Sequence, residues 1–277
     1  MIQSNTQKGI IPGIGFSYEE KTKLPILSQT SRSPLRYPGG KTRALSVLRE
    51  YMPSGIKRLV SPFLGGGSLE LSCAADGIDV WAADAFELLV NFWEYAQKSP
   101  KSLSERVESY FPLKRHEFYS LQKSIVQMEN NSERAAIFFV LNRSSFSGIT
   151  LSGGMSPGHP RFTESSIERL RNFYAPNLHV SCADFKDTLA LYPDDFLYLD
   201  PPYANGGRLY GVQGHMHDDF DHEGLAQRLS HRTGWMLSYN DHPDIRKMYA
   251  RFKILTPDWQ YGMSSNKRSN ELLILNV

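Results

Sequence analysis

Four apolar or aromatic residues in a row, Phe196-Leu197-Tyr198-Leu199, run without a break into Asp200-Pro201-Pro202-Tyr203. The first four read as a strand. The two prolines then remove two backbone donors and stiffen the turn. The carboxyl end of that strand is left with a carboxylate, a free carbonyl and an aromatic ring. Ends of this kind are where α/β proteins bind ligands.

The rest of the chain carries a matching rhythm. Residues 58–60 form a short strand candidate that enters Ser61-Pro62-Phe63-Leu64-Gly65-Gly66-Gly67-Ser68, and residues 69–75 then read as a helix. A second strand over 79–83 ends at Asp84, and a helix follows through Leu88, Leu89, Phe92 and Trp93. Strand signals return at 178–181, 235–238 and 271–277. The alternation predicts an α/β sheet with crossover helices. Between its halves, residues 94–140 place apolar side chains at helical spacing among charges, which predicts helices. Residues 141–163, rich in Ser, Gly, Pro and Arg, predict a long exposed loop or hairpin. The expected organisation is an N-terminal extension over 1–33, a sheet domain from 34–93 and 164–277, and a mainly helical insertion at 94–163.

Composition narrows the setting. The 277 residues, 40% hydrophobic and 22% charged, suit a globular protein with a well-buried core. A net charge of +2 neither demands nor excludes nucleic acid, so any DNA-binding face must come from local clustering. The two cysteines, Cys73 and Cys182, sit in no CxxC or Cys/His spacing, which argues against a disulfide framework or a zinc site. No apolar run reaches membrane-spanning length and the N-terminus lacks an apolar signal core, so a cytoplasmic protein without a membrane partner is expected.

The chemistry suggested by Asp200, Pro201, Pro202 and Tyr203 is methylation of a planar exocyclic amine. The lone pair of such an amine is delocalised into its ring, which makes it a poor nucleophile. Accepting hydrogen bonds from both of its protons, with the Asp200 carboxylate and a carbonyl at Pro201, favours pyramidalisation as the methyl group arrives. Stacking on Tyr203 would hold the base. Orientation and electrostatic stabilisation of the cationic amine are then the main catalytic effects. The plain alternative is a proline-stiffened turn with Asp as a cap. The glycine-rich loop and the acid at the end of the next strand fit an adenosine-type cofactor, with the acid accepting from ribose hydroxyls, or equally a tight turn.

Taken together, these segments resemble the Dam-like (alpha-group) adenine-N6 DNA methyltransferases. Arg36-Tyr37-Pro38-Gly39-Gly40-Lys41 is similar to the family's aromatic-x-Gly-Gly-Lys segment, and Pro62 to Ser68 to its cofactor loop. Asp84 matches the ribose acid, Asp184-Phe185 the acid-aromatic pair beside the cofactor adenine, and Asp200 to Tyr203 the catalytic tetrapeptide. The resemblance implies a Rossmann-like methyltransferase sheet whose insertion is a target-recognition subdomain. It implies an enzyme that transfers a methyl group from S-adenosylmethionine to adenine N6 in double-stranded DNA by base flipping. The cofactor residues it implies are Tyr37, Gly39, Gly40, Lys41, Pro62, Phe63, Gly65, Gly67, Asp84, Asp184, Phe185 and Asp200. It also admits a cognate restriction endonuclease as a partner and a monomer or weak dimer as the working unit. Cytosine-N4 DNA methylation and, more remotely, amino-group methylation of RNA or protein pose the same chemical problem and remain as alternatives, as does a non-catalytic DNA-binding module on a degenerate cofactor fold.

The sequence departs from the family in several places: Ser61 stands where Glu is usual, Phe86 where Asn is usual and Tyr37 where Trp is frequent. Asn142-Arg143-Ser144-Ser145-Phe146-Ser147-Gly148 resembles the family's recognition hairpin, with Ser144 and Ser147 replacing an aromatic and an Asn. The DNA-binding candidates are Asn142, Arg143, Ser145, Phe146 and Arg161. Arg143 would meet a phosphate or a guanine edge, Phe146 would wedge beside the flipped base, and Arg161, Arg169 and Arg171 would extend a basic track. Solvated arginines and a core Phe are the competing reading. The run from His215 to His222 holds several metal-ligand types. Methyl transfer needs no metal, so no metal is expected; that segment reads as a solvated loop or one folded over the target base. Ser238 to Asp241 follows a strand and would either line the pocket or form a turn.

Overall fold

The structure, a computed structural model, describes residues 32–156, 161–204, 220–257 and 271–277. Most of the N-terminal extension, residues 1–31, and residues 215–219 of the His/Asp run lie outside the described residues.

A strand made only of apolar residues needs cover on both faces. Strand β4 (Phe196–Leu199) is buried along its whole length. It pairs in parallel with β1 (Arg58–Ser61) on one side and β5 (Trp235–Asn240) on the other. Beyond β1 lie β2 (Asp79–Asp84) and β3 (Leu178–Cys182), both parallel. Beyond β5, β7 (Glu271–Asn276) runs antiparallel and pairs outward with β6 (Lys253–Leu255). The sheet order is β3-β2-β1-β4-β5-β7-β6, which gives the Rossmann-like α/β architecture expected.

The two-residue period of the strands divides the core. Leu59, Tyr198, Met236 and Leu273 point into one apolar cluster, while Val60, Leu197, Leu199, Leu237 and Ile274 point into the other. The first face is covered by α1 (Leu45–Glu50), α2 (Ser68–Ala75) and α3 (Glu87–Lys98). The second is covered by α8 (Phe185–Leu191), α9 (His222–Ser230) and α10 (Pro243–Met248).

Between β2 and β3 the chain inserts α4 (Pro100–Glu108), α5 (Arg115–Ser124) and α6 (Ser132–Ser144), followed after a connection by α7 (Glu164–Arg171). The Asn131 side chain caps α6 by accepting from the Arg134 backbone N–H at 2.9 Å. Every residue of α6 from Arg134 to Ser144 is buried, so this helix is core on all sides rather than amphipathic. Phe138 and Phe139 stack against Phe92 of α3 with ring centroids 5.9 and 5.8 Å apart. Each such fully buried ring contributes about 1.5–3 kcal/mol. The inserted helices thus share one apolar cluster with the sheet face they cover.

Two local features differ from the sequence reading. Helix α6 carries on through Asn142-Arg143-Ser144, where the Asn and Ser side chains compete with helical backbone bonds and so look loop-like. Burial against the body of the protein outweighs that local preference. Strand β6 was not foreseen: it is three residues long, lies at the sheet edge, and begins at the exposed Lys253. Among the described residues, no helix is long and apolar enough to cross a membrane.

Chain order reverses between β1 and β4. From β1 the chain proceeds outward to β2 and β3, whereas from β4 it proceeds the other way. Connections therefore diverge above the carboxyl ends of these two strands and leave a crevice there.

Candidate active site

A cavity of about 330 Å³ occupies that crevice, within the size range of small-molecule sites. Its walls come from the carboxyl ends of three parallel strands. Pro62, Phe63, Gly65 and Gly66 follow β1, Asp84 and Phe86 follow β2, and Asp200 and Pro202 follow β4. Tyr37 to Lys41 close one side, and Asp184 with Phe185 closes another. Among the residues singled out from the sequence for cofactor binding and catalysis, Gly67, Pro201 and Tyr203 do not line this cavity. Pro201 is buried behind it. Gly67 has φ +66 at the start of α2, where a Cβ would meet Leu64 and Trp93 at 3.3 Å, so it serves the turn and its packing.

The glycine loop is shaped by Tyr37. A Cβ on Gly65, whose φ is +47, would stand 2.9 Å from the Tyr37 ring, and one on Gly66 would stand 2.7 Å from Tyr37 Cβ. Only bare backbone lets the aromatic lie that close. The loop is also tied down from below. Asp84 Oδ2 accepts from the Gly65 N–H and Oδ1 from the Phe86 N–H, each at 2.9 Å. Burial nonetheless lifts the Asp84 carboxyl to about 6, against the pull of those two bonds.

An aromatic cluster lines the same cavity as Asp84. The Phe63, Phe185 and Phe220 rings lie 5.3–5.8 Å apart, centre to centre. Asp184 caps α8 by accepting from the Lys186 N–H at 2.8 Å, and Lys186 in turn pairs with Asp221 at 2.9 Å.

At the opposite end of the cavity the four residues after β4 meet Lys41 and Glu271. Lys41 Nζ donates to both Asp200 oxygens, at 2.8 and 2.7 Å, to Tyr203 Oη at 2.8 Å and to the Gly39 carbonyl at 3.0 Å. Tyr203 Oη donates to Glu271 Oε1 at 2.7 Å. Burial raises the Asp200 carboxyl to about 6; the nearby Glu271 adds to the rise, and Lys41 opposes it. Tyr203 is pushed well above the ordinary tyrosine range by burial and by the two carboxylates beside it, so its hydroxyl keeps its proton. Deeper in, Glu70 of α2 accepts from Ser61 Oγ at 2.7 Å, and burial lifts it to about 7.

Glu70 and Glu271 were missed from the sequence. Each had a signal: a glutamate inside Leu-Glu-Leu-Ser-Cys-Ala-Ala, and a glutamate opening the apolar run Glu-Leu-Leu-Ile-Leu. Charged residues in such runs are rarely buried without a partner. Ser238 and Asn240 lie within β5, not after it: Ser238 bonds the Tyr198 hydroxyl at 3.1 Å, and Asn240 donates to the Ala204 carbonyl at 2.8 Å, so the end of β5 braces the residues on either side of the tetrapeptide. Asp241 pairs with Arg246. His222 bonds the Tyr239 hydroxyl, and among the described residues no group of three or more His, Cys, Asp or Glu is arranged to hold a metal ion.

The residues selected for DNA contact fall at the end of α6 and just beyond it. Asn142 is fully buried. Its amide donates to the Arg36 carbonyl at 2.6 Å and accepts from the Arg36 N–H at 2.8 Å, which ties the insertion to the segment carrying Tyr37. Ser145 is also fully buried and donates to the Asn142 carbonyl. Gly148, at φ +77, presses on the Arg36 carbonyl so closely that a Cβ would stand 2.2 Å from its oxygen. The Arg143 guanidinium donates to the carbonyls of Arg161 at 3.0 Å and Pro34 at 3.5 Å. Burial, then Arg169, Arg36 and Arg161, lower it to about 10. Phe146 is 60% exposed, at a turn where Ser147 adopts a left-handed φ of 56°. Arg161 is exposed. Arg171 pairs with Glu168 and Glu108 on the surface.

Comparison with known proteins gives a consistent answer. The sequence model of one family, described as D12 class N6 adenine-specific DNA methyltransferase, matches residues 37–263. The chain is 26% identical over 257 residues to a DNA N-6-adenine-methyltransferase of Escherichia phage P1, covering 84% of the chain but 33% of that protein. It is 28% identical over 235 residues to the retron Ec67 DNA adenine methylase of Escherichia coli, covering 79% of the chain and 80% of the relative. It is 23% identical over 267 residues to the DNA adenine methylase of Escherichia coli strain K12, covering 88% and 95%. The chain therefore spans a third of the phage protein's length and nearly all of the K12 methylase.

Proposed function

The chain belongs to the D12 class N6 adenine-specific DNA methyltransferase family, and on that premise we propose that its cavity holds S-adenosylmethionine and an extruded target adenine side by side. The donor set fits the cofactor's chemistry. Asp84 at the end of β2 has lone pairs left for ribose hydroxyls, the Phe63 and Phe185 rings offer apolar surface to a flat purine, and the Asp200 carboxylate and Tyr37 ring suit a molecule with cationic centres. Gly39, Gly40 and Lys41 close the pocket over it. When bound, S-adenosylmethionine supplies a methyl group activated on a sulfonium.

The residues of the chain do the rest. The Asp200 carboxylate accepts one N6–H and the carbonyl at Pro201 the other, drawing the amine toward a tetrahedral shape. Pro201 and Pro202 hold these acceptors rigid, and Tyr203, which does not line the cavity, would have to turn its ring toward the base to stack on it. Methylation makes N6 cationic; Asp200 stabilises that charge until the nitrogen sheds its extra proton. The observation that carries this reading is the Lys41–Asp200 contact: the carboxylate is oriented to take N–H donors at 2.7–2.8 Å inside a buried pocket.

DNA is proposed to lie across the end of α6. Arg36, Arg143, Arg161 and Arg169 gather there, and Phe146 projects from the turn as the wedge that fills the space of the extruded base. Asn142 and Ser145, being buried, act by holding that turn. Residues 94–163 then serve recognition, and 34–93 with 164–277 serve cofactor and chemistry.

The test is methyl transfer from tritiated S-adenosylmethionine to duplex DNA, followed by nucleoside analysis. N6-methyladenine is the expected product, and modified-base sequencing of DNA from expressing cells yields the target sequence. Label in N4-methylcytosine, or in RNA only, would sink the proposal.

A further inference from the structure

Lys41 stands where the target amine has to go. Its ammonium chelates both oxygens of Asp200. A carboxylate so engaged is a poor acceptor for an adenine amino group, and a cation at that point opposes the positive charge that methylation creates on N6. The lysine must therefore yield as the base enters. It has little freedom to escape to water: its side chain is 6% exposed, and it starts a single helical turn (Lys41–Arg43) directly after Gly40.

Another carboxylate lies within reach. Glu271 Oε1 is 3.8 Å from Lys41 Nζ and is 2.7 Å from the Tyr203 hydroxyl that the same lysine already touches. A shift of about 1 Å along that line brings the ammonium into hydrogen-bonding range of Glu271, while Tyr203 remains its partner throughout. Glu271 opens β7 opposite Asn240 of β5, and the four residues after it, Leu272 to Leu275, are apolar and buried. A carboxylate adds nothing to such a strand's packing and costs desolvation there, so its place is accounted for by what it faces. The other buried carboxylate of the pocket, Glu70, is already bonded to Ser61.

We propose that Glu271 is a positioning residue that receives Lys41: as the target amine takes Asp200, the lysine ammonium passes from Asp200 to Glu271, with Tyr203 as the pivot. The inference rests on Asp200 being the acceptor for the target amine. Glu271 touches neither base nor cofactor. It frees Asp200 by offering the displaced charge a partner within the dry pocket.

The experiment compares Glu271→Gln in two backgrounds, the natural chain and Lys41→Met. Pocket entry is read with 2-aminopurine at the target adenine of a duplex carrying the methylated sequence, and turnover by methyl transfer to unmodified duplex. In the natural background, Glu271→Gln should leave DNA affinity by anisotropy intact. It should cut the 2-aminopurine signal and lower kcat/KM by about tenfold to a hundredfold, the scale of one hydrogen bond to a charged group. With Lys41→Met already present there is no ammonium to receive, and the same substitution should have no further effect. An equal loss in both backgrounds, or no loss in either, overturns the proposal. Should Glu271→Gln fail to fold, Glu271→Asp makes the same comparison with a shortened arm, and its loss must again vanish beside Lys41→Met. If the unsubstituted chain does not methylate adenine at all, it is the reading of Asp200 that fails instead.

Discussion

Asp84, Asp200 and Glu70 line the cavity, and Lys41 lies between Asp200 and Glu271. Four arginines, Arg36, Arg143, Arg161 and Arg169, gather at the end of α6. The two regions are stressed in opposite senses. Burial pushes Asp84 and Asp200 up to about 6 and Glu70 to about 7, while burial and like charge bring Arg143 down to about 10. Each region holds charge that burial makes costly, and a ligand of opposite sign would offset that cost. The cavity suits cationic groups, a sulfonium and an amine becoming positive; the arginines suit the phosphates of a duplex. Asn142, bonded to both the N–H and the carbonyl of Arg36, joins the two.

If this division of labour is right, the largest single effect belongs to Asp200→Ala. Removing the acceptor should lower kcat by about a hundredfold to a thousandfold, the range measured when one preorganised polar partner of a transition state is deleted. DNA affinity by anisotropy should stay unchanged. A variant that methylates normally would remove Asp200 from the chemistry, and one that loses DNA binding would show that the regions are not separable. The same carboxylate sets a pH limb. It must be ionised to accept N–H bonds, so kcat/KM of the natural chain should rise with pH up to about 6 and flatten above.

Arg143→Ala probes the other side. Losing one phosphate contact should weaken duplex binding about equally across sequences and reduce the slope of log affinity against log salt by about one. Calorimetric affinity for S-adenosylmethionine should not move. An unchanged salt slope would mean that Arg143, bonded to the carbonyls of Arg161 and Pro34, only braces the turn that displays Phe146.

The two regions also differ in how far they can be read from sequence. The cavity was legible because its parts sit at strand ends. Apolar runs at β1, β2 and β4 stop at Pro62, Asp84 and Asp200, and parallel sheets put such ends on one edge. Where the reading failed, the cause was tertiary. Asn142, Ser144 and Ser145 are loop-favouring residues, yet burial and the Asn142 bonds to the Arg36 segment hold them in α6 or at its end. Glu271 lies 68 residues beyond Tyr203, and only the antiparallel return of β7 beside β5 brings the two together. Glu70 is on a helix, where a glutamate ordinarily faces water; here its turn of α2 is pressed onto Ser61.

Glu70 gives the smallest expected effect and separates the cost of building the cavity from its use. It titrates near 7 in the folded chain, against 4.5 when unperturbed. Below pH about 4.5 it is protonated in both folded and unfolded chains and its charge costs nothing. As pH rises from about 4.5 to 7 the unfolded chain gives up this proton first, so the folded state loses stability, and above 7 the loss is complete. Glu70→Gln should therefore stabilise the protein by about 1–2 kcal/mol at pH 8, seen as a higher Tm, and by nothing at pH 4. The estimate lies below the full linkage value because the glutamine amide group still needs a partner in a buried site. A gain that is equal at both pH values would be a packing effect. A loss at pH 8 would mean that the ionised carboxylate is compensated in the folded chain, and that the cavity's negative charge is stabilised by the protein before any cationic ligand is bound.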